Sequence, residues 1–140
     1  MNPDLSLRSV LSSSLLPPNE ARMLMAYVLE KHYQLPRSAL LSRDEMVLDA
    51  EAFIEWQSLE TKRSKGEPIA YLLGKRGFHN IDLYVAPGVL IPRAETELLV
   101  EIGLNEIALL KKASGTQPKL LDLGTGSGAI ALAIAYAAPQ

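Results

Sequence analysis

Three stretches of this 140-residue sequence predict an α/β chain in three parts. Apolar residues recur at helical spacing as far as Leu73, which reads as a set of short amphipathic helices. Ile81, Leu83 and Val85 then alternate with Asp82 and Tyr84, which is strand periodicity. Residues 120–131 read as a buried strand that breaks into glycines and opens a helix. The predicted architecture is an all-α helical bundle over 1–73 and a β-hairpin linker over 74–92. Over 93–140 follows the first βα unit of a Rossmann-like domain. That last unit is expected to be incomplete, because one strand and one helix cannot make a sheet.

The elements follow in order. Residues 5–16 form a short apolar segment stopped by Pro17 and Pro18. Asn19 is read as the N-cap of the next helix, with Glu20 favourable in its first turn. Ala21, Leu24, Met25, Val28, Leu29 and His32 share one face of that helix, which Leu35 and Pro36 end. Ser42 and Glu45 match a capping box. The helix it would open carries Val47, Ala50, Phe53, Ile54 and Gln57 on one side, with Gly66 and Pro68 as stop signals. Helices this short, with one apolar stripe each, are expected to pack as a bundle. Tyr27, Phe53, Trp56 and Tyr71 are assigned to its core.

Asn80 marks a hairpin turn after Phe78, and Pro87-Gly88 marks a second turn, followed by a short strand over 89–91. Residues 95–112 return to helical spacing, with Leu98, Leu99, Ile102, Leu109 and Leu110 apolar and Lys111 and Lys112 suited to the helix C-terminus. A loop over 114–118 leads to a strand over 119–123 and a last helix over 129–138.

Composition excludes several classes of function. With 48% apolar and 21% charged residues the chain is globular rather than disordered. A net charge of −2 gives no general attraction to nucleic acid or to a membrane surface. There is no cysteine, which removes disulfides, thiolate metal sites and a cysteine nucleophile. His32 and His79 lie far apart in sequence, so no metal site is expected. The longest apolar run is about half of the roughly 20 residues a membrane helix needs, and Met1-Asn2-Pro3-Asp4 does not open a signal peptide.

The chemistry concentrates in Asp122-Leu123-Gly124-Thr125-Gly126-Ser127-Gly128. Glycines at alternate positions let the backbone turn sharply and approach a ligand, and the following helix offers free N–H groups. Asp122 would repel a pyrophosphate but suits a cationic ligand. S-adenosylmethionine, with its sulfonium and α-ammonium groups and no phosphate, fits that requirement best. Gly124-x-Gly126-x-x-Ala129 also matches the dinucleotide fingerprint, and a plain turn stays open. Upstream, Ile91-Pro92-Arg93-Ala94-Glu95-Thr96-Glu97 opens an amphipathic helix, where acids suit the N-terminus.

Together, Glu67-Pro68-Ile69-Ala70-Tyr71-Leu72-Leu73-Gly74, the segment 89–97 and the glycine loop resemble the PrmC (HemK) family of release factor glutamine N5-methyltransferases. Ala94 stands where the family pattern usually has proline, and Gly77 stands where it usually has an acid. The resemblance implies methyl transfer from S-adenosylmethionine to the glutamine of the Gly-Gly-Gln loop of peptide-chain release factors, in the cytoplasm. It implies that Gly124, Thr125, Gly126, Ser127, Gly128 and Asp122 bind the cofactor. Arg93, Glu95 and Glu97 would act near that pocket as supporting or gating groups. It places no catalytic residue in this span, since the family's Asn-Pro-Pro-Tyr motif lies downstream, so this stretch alone is expected to be inactive. The bundle would help dock the release factor, joined by Lys62, Arg63, Lys65, Lys75 and Arg76. A ribosomal-protein glutamine methyltransferase, another class I methyltransferase, a helical adaptor and a dinucleotide-dependent oxidoreductase are the alternatives.

Overall fold

The chain is seen here in a computed structural model that describes residues 4–116 and 118–139. The reading of Met1–Pro3 and Gln117 of the predicted loop lie outside them. Two compact units emerge, Met1–Leu73 and Gly74–Gln140.

The first unit is helical: α1 (Leu7–Ser13), α2 (Pro18–Tyr33), α3 (Ala39–Ser42), α4 (Ala50–Ser64) and α5 (Ile69–Leu73). Ser6 caps α1 by accepting from the Ser9 amide, and Asp4 in turn accepts from the Ser6 amide and hydroxyl. Helix α2 starts differently from the expectation. Its N-cap is Pro17 and Pro18 is the first helical residue, while Asn19 lies inside the first turn. Proline suits that position because its fixed φ is already helical and its missing N–H would have no intrahelical partner. The apolar face of α2 buries Ala21, Leu24, Met25, Val28 and Leu29 as the spacing predicted.

The capping box does not form. Ser42 ends α3, Asp44 and Glu45 form a turn, and residues 46–48 run beside residues 5–7, with Leu7 donating to the Met46 carbonyl and Leu48 to that of Leu5. Those bonds hold Val47 opposite Ser6 in a β-bridge, so no helix can start before Asp49. Asp49 is the actual cap, accepting from the Ala52 amide at 2.9 Å. The shift turns α4 over: Ala52, Trp56 and Leu59 are buried, and Ile54 is exposed. Trp56 joins Leu7, Leu24, Met25, Val28 and Leu29 in the core, with Phe53 and Tyr27 packed at its edge.

Glu20 and Arg63 tie α2 to α4 through two charge-assisted hydrogen bonds of 2.7 and 2.8 Å. The Arg63 guanidinium holds the Glu20 carboxyl below its ordinary range, and the Ala52 amide does the same for Asp49. A carboxylate whose folded pKa is depressed adds stability above its unfolded pKa and loses it as pH falls through the folded value. Thermal midpoints of the chain are therefore expected to hold from pH 7 to about 5 and to drop below about pH 4. Glu20→Gln should lower the midpoint at pH 7 and shrink the acid-induced drop. Melts followed by Trp56 fluorescence measure both, and an unchanged acid slope in the variant would remove Glu20 from the account.

The second unit opens with an antiparallel hairpin, β1 (Lys75–Phe78) and β2 (Ile81–Tyr84), paired from Lys75 opposite Tyr84 to Phe78 opposite Ile81. The turn is the predicted one, but its left-handed residue is His79 (φ 51°). A short 3₁₀ turn (Ala94–Thr96) leads into α6 (Glu97–Ser114), and α7 (Ala129–Ala137) ends the described chain. Phe78, Leu83, Val100, Ala129, Ala133 and Ile134 form the core of this unit.

Two expected strands, over 89–91 and 119–123, are irregular here. A strand exists through its ladder, and neither segment pairs with another among the described residues. The first βα unit thus appears as an extended segment, a loop and a helix. The buried stripe of α6 also differs from the expectation. Val100, Leu104 and Ile107 face the core, whereas Leu98, Leu99, Ile102, Leu109 and Leu110 are exposed. Gly103 explains the choice: Ile134 of α7 comes so close that a Cβ there would meet its Cδ1 at 2.7 Å.

A cofactor-type glycine loop and its neighbours

Residues 124–128 make the turn that their composition demands. Gly124, Gly126 and Gly128 have φ values of 74°, 55° and 78°, a region that side chains with a Cβ rarely occupy. Space inside the protein is not the reason for glycine at the first two. A Cβ on Gly124 would meet nothing within 4 Å, and one on Gly126 only the Gly124 carbonyl at 3.9 Å. Backbone conformation, and whatever approaches from outside, set the requirement. The Gly128 amide closes the turn on the Thr125 carbonyl at 2.8 Å, and Gly128 caps α7 without any side-chain bond. The first N–H groups of α7 are left for another partner.

The structure brings Asp122 and Thr125 together. The Thr125 hydroxyl donates to Asp122 Oδ2 at 3.0 Å, which orients the carboxylate at the mouth of the loop. No lysine or arginine lies between Leu120 and Gly128. The oriented carboxylate suits a cationic group of a ligand, while the free amides at the start of α7 suit an anionic one. S-adenosylmethionine has that chemistry, so the residues present fit it.

Arg93, Glu95 and Glu97 form a separate group at the start of α6. Arg93 precedes the 3₁₀ turn, Glu95 lies within it and Glu97 is the first residue of α6. Arg93 and Glu95 are exposed and Glu97 is half-buried. The two acids suit a helix N-terminus. Of the basic residues, Arg63 is committed to Glu20, and Lys75 and Arg76 belong to the second unit. The five cations are therefore not one cluster within either unit.

Sequence reasoning did not foresee the link between His79 and Glu101, whose Nε2 and Oε1 lie 2.6 Å apart across 22 residues. It fastens the hairpin turn to α6 while Nδ1 stays buried without a partner. Only the positive φ of the turn, invisible in the residue names, could have pointed to it.

A helical N-terminal domain followed by a hairpin, a long helix and a glycine loop opening a further helix defines the class of protein. Residues 6–74 match the family model described as the PrmC N-terminal domain. The chain is 43% identical over 128 residues to a release factor glutamine methyltransferase of Vibrio cholerae, an alignment covering 91% of this chain and 41% of that protein. It is 42% identical over 134 residues to one of Bordetella pertussis, covering 96% and 46%. A third, from Burkholderia pseudomallei, is 43% identical over 131 residues, covering 94% and 43%. Over residues 6–74 the chain is similar to the PrmC N-terminal domain, and over most of its length to these methyltransferases. It spans less than half the length of these curated relatives.

Proposed function

We propose that the protein to which this chain belongs transfers a methyl group from S-adenosylmethionine to the side-chain amide nitrogen of the glutamine in the Gly-Gly-Gln loop of peptide-chain release factors, in the cytoplasm. The observation that carries the reading is the Asp122–Thr125 pair on a loop of three left-handed glycines, in a chain whose relatives bear the name release factor glutamine methyltransferase.

When bound, S-adenosylmethionine supplies an electrophilic methyl group. In this reading the backbone of residues 124–128 holds its amino-acid portion. Asp122, oriented by Thr125, and Ser127 would help hold its ammonium end. Arg93, Glu95 and Glu97 border the pocket and govern entry to it. An amide nitrogen is a weak nucleophile because its lone pair is delocalised, so holding it against the methyl group supplies much of the acceleration. The groups that hold it, an Asn-Pro-Pro-Tyr motif, lie outside this chain, and so the chain alone is inactive. Segment 119–123 becomes the first strand of a Rossmann-like sheet. Leu121 and Leu123, 80% and 84% exposed here, are side chains that such a sheet would cover.

The test is methylation by the full-length protein. Incubated with a purified release factor and S-adenosylmethionine, it should add one methyl group to the Gly-Gly-Gln glutamine, read by mass spectrometry of the digested peptide. The 140-residue chain should add none. Methylation at another residue, or of a ribosomal protein instead, would overturn the substrate assignment.

A further inference from the structure

His79 occupies a position that disfavours it. Its backbone is left-handed at φ 51°, its side chain is only 10% exposed, and its Nδ1 is buried with no partner among the described residues. Residues other than glycine seldom adopt that backbone, and a buried nitrogen without a hydrogen bond destabilises the fold. Against both stands one specific contact, from Nε2 to Glu101 Oε1 at 2.6 Å. Strain kept at a residue that also makes such a contact points to a role for the contact. The flanking residues Phe78 and Val100 pack in the core of the second unit, but apolar packing has no direction and leaves the angle of the hairpin on α6 open. A hydrogen bond has a direction and fixes it. Two residues further along α6, Gly103 receives Ile134 of α7, the helix that the glycine loop opens. One turn of α6 therefore takes both the hairpin and α7. Between the hairpin and α6, residues 85–93 form no helix or strand, so their place is set by the elements at their two ends.

We infer that His79 and Glu101 are positioning residues, whose bond sets the hairpin on α6 and so places the segment 89–97, with Arg93, Glu95 and Glu97, relative to the glycine loop. The inference rests on the reading of that loop as the S-adenosylmethionine site. The bond acts by its direction, with the Nε2–H donating to a carboxylate oxygen, and needs an acceptor at residue 101 rather than a charge.

Calorimetry of S-adenosylmethionine binding to the full-length protein tests it, at a temperature where melting curves show every variant folded. His79→Ala and Glu101→Ala should each weaken binding about fivefold or more, and the double variant should be no weaker than either alone, since all three lose the same bond. Glu101→Gln keeps an accepting oxygen and should bind within twofold of the unaltered protein. Glu101 is 59% exposed, so its two variants decide the matter even if His79→Ala does not fold. A bond that only stabilises would lower the melting temperature and leave affinity within twofold, which would overturn the inference while the cofactor reading stands. A fivefold loss with Glu101→Gln, or losses that add in the double variant, would overturn it as well. No binding by the unaltered protein would instead remove the cofactor reading, and the inference with it.

Discussion

Gly126→Val in the full-length protein is expected to abolish S-adenosylmethionine binding measurable by calorimetry, with affinity reduced at least tenfold, or about 1.4 kcal/mol. Valine is β-branched, and the left-handed conformation of residue 126 (φ 55°) costs such a residue on the order of 1–3 kcal/mol. The loop would relax, and with it the turn that the Gly128 amide closes on Thr125 and the setting of Asp122. Gly126→Asn separates the two reasons for glycine. Asparagine tolerates the left-handed region far better than valine, yet it adds a side chain of similar reach. If backbone conformation decides, asparagine should restore much of the affinity. If close approach of the ligand decides, asparagine and valine should fail alike. The open space around these glycines favours the second outcome, because nothing inside the protein fills it. Undiminished binding by the valine variant would mean that the loop does not hold the cofactor.

Trp56→Ala should cost the first unit about 3–5 kcal/mol, the usual range for emptying an aromatic site in a core. A unit of this size has a total stability of about 4–11 kcal/mol, by the common scale per residue. The substitution should therefore remove a large share of the helical domain's stability. Trp56 is the largest fully buried side chain of the chain, and it packs with α1 and α2 residues. Urea unfolding followed by far-UV circular dichroism measures the loss, with Trp56→Phe expected to recover most of it by refilling the site. A midpoint for Trp56→Ala within 1 kcal/mol of the unaltered chain, judged against the 3–5 kcal/mol scale, would show that the site collapses and that the core is less tightly packed than the burial implies.

What could be read from the residues was whatever depends on local chemistry. The α2 stripe of Ala21, Leu24, Met25, Val28 and Leu29 repeats at helical spacing over four turns, so its buried face was legible. The turn after Phe78, the basic end of α6 and the glycine turn before α7 were legible for the same reason. The family resemblance rested on residues 67–74, residues 89–97 and the glycine loop, and the comparison with curated relatives bears it out. The start of α4 was misread because Ser42 and Glu45 make a sound capping box locally. What overrules it is the pairing of residues 44–48 with residues 5–8, which begins near the opposite end of the unit.

The sequence by itself determined the helical character of the first unit, the hairpin and the left-handed glycine loop, because each follows from spacing or from a single residue's conformational range. Tertiary structure decided which apolar residues are buried. Leu98, Leu99, Ile102, Leu109 and Leu110 are as apolar as Val100, Leu104 and Ile107, and packing against the hairpin and α7, with Ile134 close to Gly103, selects between the two faces of α6. It also decided which charges are spent. Arg63 is committed to Glu20 and Arg8 to Asp44, and that commitment depends on side chains brought together from distant positions. Hydrophobic burial is non-directional and charge pairing needs a partner in space, so neither outcome is written in local sequence.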